Sequence, residues 1–145
     1  EIGAGERGLV VGAEKPPLGK LKGALQRVTG TVTTPPAGEV TGVADGDTVG
    51  SFTVYYTPGH TPGHVAYVSE TLSVAFVGDL VRESDGDLGP SPKPMSYDTE
   101  RVRDSIEYLA DAEPAVEVLA MGHGVPFVRN GAVRLAELGE RIARL

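Results

Sequence analysis

The chain has 145 residues, 40% hydrophobic and 23% charged, enough for one domain with a buried core. Asp and Glu outnumber Lys and Arg 20 to 13, and the resulting net charge of −7 argues against a nucleic-acid backbone footprint. With no cysteine there is no disulfide, thiolate nucleophile or cysteine-built zinc site, so any metal must be held by imidazole and carboxylate.

The chain starts at Glu1, with its methionines at 95 and 121, and the expectation is that an upstream segment has been removed or was never included. Nothing at this end has a signal-peptide pattern, and no apolar run approaches the roughly 20 residues of a bilayer span. A cytoplasmic protein is expected. Leu9-Val10-Val11 reads as a short buried strand. Residues 15–38 hold Pro16, Pro17, Pro35 and Pro36 around Leu18–Arg27, a candidate short helix. Lys15, Lys20, Lys22 and Arg27 make this the most basic stretch, read as a solvated face. Val40 and Val43 precede Asp45-Gly46-Asp47, a hairpin-turn signature, and Phe52–Tyr56 follows as a strand.

Val65–Val68 and Ser73–Val77 read as paired strands joined around Glu70-Thr71. Residues 82–97 are rich in Gly, Pro, Asp and Ser and read as a loop. Asp98 stands where a helix N-cap belongs, with Val102, Ile106 and Leu109 at helical spacing behind it. Val116–Ala120 is a further short strand. Leu135, Leu138, Ile142 and Leu145 form the inner stripe of a closing helix.

Two of the three histidines lie in Thr-Pro-Gly-His-Thr-Pro-Gly-His, residues 57–64. Histidines at i and i+4 on a helix would face one metal, but Pro58, Gly59, Pro62 and Gly63 make this segment two successive turns. His60 and His64 therefore need not face the same way. Three strands end alike: one runs through the turns to Gly63-His64, one ends in Gly78-Asp79, one in Gly122-His123. Glycine permits the close approach that crowded metal ligands need, and imidazole with carboxylate suits zinc, iron or manganese. The pattern selects His64, Asp79 and His123 as ligands. His60 lies outside it and is expected to be a turn residue, or a side chain that hydrogen-bonds a ligand.

These phrases, in this order, resemble the second half of the metallo-β-lactamase-fold hydrolase superfamily, nearest its glyoxalase II-like and general metallo-hydrolase branch. The resemblance is strong over 52–126 and only outlined over 1–51. It implies an α/β (α+β) fold: the C-terminal half of an αββα sandwich, with a mixed sheet and flanking helices, as a single partial domain over 1–145. It implies that His64 binds one metal, His123 a second, and Asp79 bridges them as the catalytic carboxylate. The cofactor would be zinc, two ions in an intact relative, with iron or manganese as substitutes. The family's principal signature, His-x-His-x-Asp-His, is absent. Truncation is the expected reason.

The resemblance implies a hydrolase in which metal-activated hydroxide attacks an ester, thioester, lactone or lactam of a small molecule. Arg82, Met95 and Tyr97 would border its cleft, with structural roles favoured for all three. As this chain stands, two ligands per ion are too few for tight binding, so inactivity alone is expected. An iron-dependent dioxygenase of the same superfamily and a non-catalytic binding domain are the alternatives. Half a sandwich also exposes apolar faces and sheet edge, which favours self-association.

Overall fold

The structure is a computed structural model that describes residues 41–145. The expected strand at 9–11, the helix at 18–27 and the basic stretch lie outside those residues. In chain order the elements are β1 (Thr48–Val49), β2 (Phe52–Tyr56), β3 (Val65–Ser69), β4 (Val74–Gly78), β5 (Val81–Ser84), β6 (Asp87–Pro90), α1 (Thr99–Asp111), β7 (Val118–Met121) and α2 (Gly131–Ile142), with a 3-10 turn at Lys93–Met95.

Among the described residues five strands form one mixed sheet in the order β1-β2-β3-β4-β7, the first four antiparallel and β7 parallel to β4. Residues paired across a ladder share a face. Val68 pairs with Ala75 and Ala75 with Leu119. With Ala66 and Val77 they meet Val102, Ile106 and Leu109 of α1 and Leu135, Leu138 and Ile142 of α2 in one buried cluster. Both helices thus cover the same face. The other face carries Tyr67 opposite Phe76, whose ring meets Phe52 at 5.7 Å and is 48% exposed. No helix among the described residues is long and apolar enough to cross a membrane.

The helices form where periodicity placed them. Asp98 Oδ1 accepts the Glu100 and Arg101 N–H groups, satisfying two of the donors that a helix start leaves unpaired. Leu145 is the exception to the expected α2 stripe. The helix ends at Ile142, so Leu145 is carried past the core and stands 88% exposed.

Two turns differ from expectation. Val49 pairs with Phe52, so the β1–β2 hairpin turns at Gly50-Ser51 rather than at Asp45-Gly46. Asp45 is engaged elsewhere: Oδ1 accepts the Tyr56 N–H at 2.6 Å and Oδ2 the Tyr108 hydroxyl at 2.8 Å, fastening this turn to α1. The stretch read as a loop over 82–97 contains the β5–β6 hairpin. Asp85 (φ 54°) and Gly86 (φ 88°) both take the left-handed region that a two-residue hairpin turn demands. Beyond β7 the chain doubles back, and Phe127 exchanges backbone hydrogen bonds with Leu119 at 2.8 and 3.0 Å.

Candidate metal centre

Tyr56 pairs with Val65, so the segment 57–64 begins and ends at one hairpin base. The Thr57 N–H closes that base by donating to the His64 carbonyl at 3.0 Å. His64 is therefore at the foot of the loop and His60 near its apex. The His64 ring turns inward. Its Nδ1 shares a 2.9 Å hydrogen bond with the Thr57 hydroxyl, and its Nε2 fills the space where a side chain on Gly78 would stand, 2.8 Å from an ideal Cβ. Burial first, and the neighbouring His60 charge second, lower its pKa to about 4. At neutral pH this ring is uncharged.

The apex is pinned from outside. Asp98 N–H donates to the Gly59 carbonyl at 2.9 Å and Tyr97 N–H to the His60 carbonyl at 3.1 Å. The Ser105 hydroxyl donates to the Pro58 carbonyl at 2.7 Å, and the Tyr56 hydroxyl to the Pro62 carbonyl at 2.6 Å. Held this way, His60 reaches over the end of β4 to Asp79.

Asp79 stands between two histidines. Its Oδ2 lies 3.4 Å from His60 Nε2, and its Oδ1 lies 3.6 Å from His123 Nε2. Both separations are long for a hydrogen bond. Two donors each about 2.1 Å from one tetrahedral ion, however, stand about 3.4 Å apart. The two oxygens thus face different imidazoles. His60 Nδ1 shares a 3.1 Å hydrogen bond with the buried Ser91 hydroxyl, turning Nε2 toward Asp79. Gly122 makes room for the carboxylate, since a Cβ there would stand 2.1 Å from Asp79 Oδ1.

A cavity of about 220 Å³ opens over this group, lined by His60, Asp79, Val81, Arg82, Ser91, Pro92, Met95 and His123. Among the described residues no three His, Asp or Glu side chains close tightly enough to hold an ion by themselves. The donor types and spacings fit two ions that Asp79 would share, with further donors still required.

Of the three residues expected to converge, Asp79 and His123 do so and His64 does not. His60, expected to point elsewhere, takes its place beside Asp79. The reason is hairpin closure: the residue adjoining β3 packs inward at the base, while the one near the apex can reach across. The pairing of Phe52–Tyr56 with Val65–Val68 was the available signal. Ser91 was missed, and its position in a Gly- and Pro-rich stretch gave no periodic signal.

The sequence pattern of the Metallo-beta-lactamase superfamily matches residues 6–123. The chain belongs to this superfamily. A protein solved in a di-iron-bound form is 26% identical with a TM-score of 0.57, over 77% of this chain and 55% of its own. A metallo-beta-lactamase from Erythrobacter litoralis, solved with beta-mercaptoethanol in the active site, is 26% identical at 0.52, over 84% and 55%. An archaeal superfamily protein from Sulfolobus tokodaii is 21% identical at 0.57, over 85% and 47%, a likeness of fold alone. The chain thus spans about half the length of these structures. No curated protein matches it significantly.

Proposed function

We propose that this chain carries the C-terminal part of the site of a metal-dependent hydrolase that cleaves an ester, thioester, lactone or lactam bond in a small molecule. The observation that carries the reading is Asp79, whose two oxygens face the Nε2 atoms of His60 and His123 at 3.4 and 3.6 Å. His60 and His123 would each hold one ion and Asp79 would touch both, with His60 replacing His64 in the ligand set. Zinc is the first candidate metal. Iron is the second, because one similar structure is di-iron-bound.

When bound, such ions lower the pKa of a water to about 7 and polarise a carbonyl. The chain's own residues supply the rest. Asp79 brings the negative charge that lets two cations sit close together. Ser91 keeps the His60 ring turned so that Nε2 presents its lone pair. Arg82, exposed at the cleft wall, offers a cation to an anionic substrate group, while Pro92 and Met95 form an apolar border. A catalytic ion takes three protein ligands, more than these residues provide. His-x-His-x-Asp-His, absent from the 145 residues, would have to come from chain outside them.

The test is metal titration and ester and thioester assay of a chain carrying an upstream segment, with zinc and iron in parallel. Metal-dependent hydrolysis is expected, with His60→Ala costing more metal affinity than His64→Ala. The reverse order would return the ligand role to His64. Oxygen uptake with iron and no hydrolysis would replace the hydrolase by an oxygenase.

A further inference from the structure

Resting on the site reading above, we propose that Glu83 is a positioning residue that fixes His123 over the cleft. The His123 side chain is 62% exposed, so burial does not place it. Its loop leaves β7 with one backbone bond, Gly122 N–H to the Gly78 carbonyl at 2.9 Å. From there Glu83 grips the loop twice. Its own N–H donates to the His123 carbonyl at 3.2 Å, and its Oε2 accepts the Val125 N–H at 2.8 Å.

The residue between the two grips is Gly124, with φ +95°. An ideal Cβ there would lie 2.5 Å from the Glu83 carbonyl oxygen and 2.6 Å from Oε2, so the loop lies flush against Glu83 and a side chain has no room. The other carboxylate oxygen, Oε1, accepts the Gly86 N–H at 2.6 Å, which fixes the clamp from the hairpin side. The two backbone donors, Val125 first, hold the Glu83 carboxyl below its usual pKa. Glu83 is four residues beyond Asp79 on the same short segment. The segment that carries the shared carboxylate therefore also sets where His123 meets it.

The alternative is that Glu83 merely stabilises the hairpin. Arg141 separates the two roles, because its Nη2 donates to the Leu88 carbonyl and holds the same hairpin from α2. In a chain carrying the upstream segment, Glu83→Ala, Glu83→Gln and Arg141→Ala are compared by amide exchange at Val125 in metal-free protein and by Co(II) affinity.

Glu83→Ala should speed Val125 exchange and lower Co(II) affinity about 10–100-fold. Glu83→Gln, with one acceptor oxygen in place of two, should fall between it and wild type. Arg141→Ala should lower the melting temperature while leaving both readouts at wild-type values. Unchanged Val125 exchange in Glu83→Ala, or a Co(II) loss no larger than that of Arg141→Ala, would overturn the proposal. A wild-type chain that carries the upstream segment and still binds no Co(II) would instead sink the functional reading, and Val125 exchange alone would then decide the clamp.

Discussion

The two loops that flank Asp79 present similar chemistry on dissimilar foundations. Residues 57–64 are bonded along their length: across their own base, to the residues entering α1, to Ser105 and to Tyr56. Residues 122–125 extend from the end of β7 and are gripped by Gly78 and Glu83. The side chain of His60 is 19% exposed and that of His123 62%. One imidazole is set by the fold as a whole, the other by Gly78 and Glu83 alone among the bonds described for its loop. The entropy of ordering the first is spent during folding, whereas part of the second remains for ligand binding.

Removing what the loops share should have the largest effect. Asp79→Ala should lower metal affinity by more than the roughly 100-fold upper bound typical of supporting residues. Calorimetric titration of the chain carrying the upstream segment with Co(II) checks this, and a loss within tenfold would break the comparison, because the loops would then not depend on a common carboxylate.

Acid should separate the loops next. The folded pKa of His64 is about 4 against an ordinary 6.5, so between those values the unfolded chain binds more protons than the folded one. His64 then contributes its full stability above pH 6.5 and loses it as pH falls toward 4, roughly 3 kcal/mol at most. Urea midpoints at pH 7.5 and 5 measure the loss, and His64→Gln should flatten it. An unchanged slope in that variant would assign the acid sensitivity to another group.

The smallest effect sharpens the contrast on one side only. Ser91→Ala should release the His60 ring and cost about tenfold in Co(II) affinity, the low end for a residue that orients a ligand. Ring nitrogen shifts should change at His60 and hold at His123. Movement at both would mean that the two loops are coupled through more than Asp79.

Much of this architecture was legible in the sequence because its signals are local. Asp98 capping, the Val102-Ile106-Leu109 stripe and the short apolar runs of β2 to β4 each read within a few residues. The glycine before Asp79 and the glycine before His123 also read correctly as signs of close approach. Which of His60 and His64 would face Asp79 did not, since a repeated tetrapeptide carries the same letters twice and only cross-strand pairing tells base from apex. The β5–β6 hairpin was hidden for a related reason: Asp85-Gly86 is a strong turn signal, but Arg82, Glu83 and Asp87 around it lack an apolar alternation. Ser91 and Glu83 act through partners 31 and 42 residues away, which no local pattern reveals.

The Leu119–Phe127 bridge has a consequence for insertions. It fastens both ends of the segment that holds His123 to one place on β7, so extra residues between 124 and 126 would disturb the Val125–Glu83 bond without unpairing anything in the core. Even doubling such a loop costs only about 0.6 kcal/mol in closure entropy. Stability would scarcely register the change, while the imidazole would lose its register with Asp79. Length, at this one place, is a variable that folding tolerates and chemistry does not.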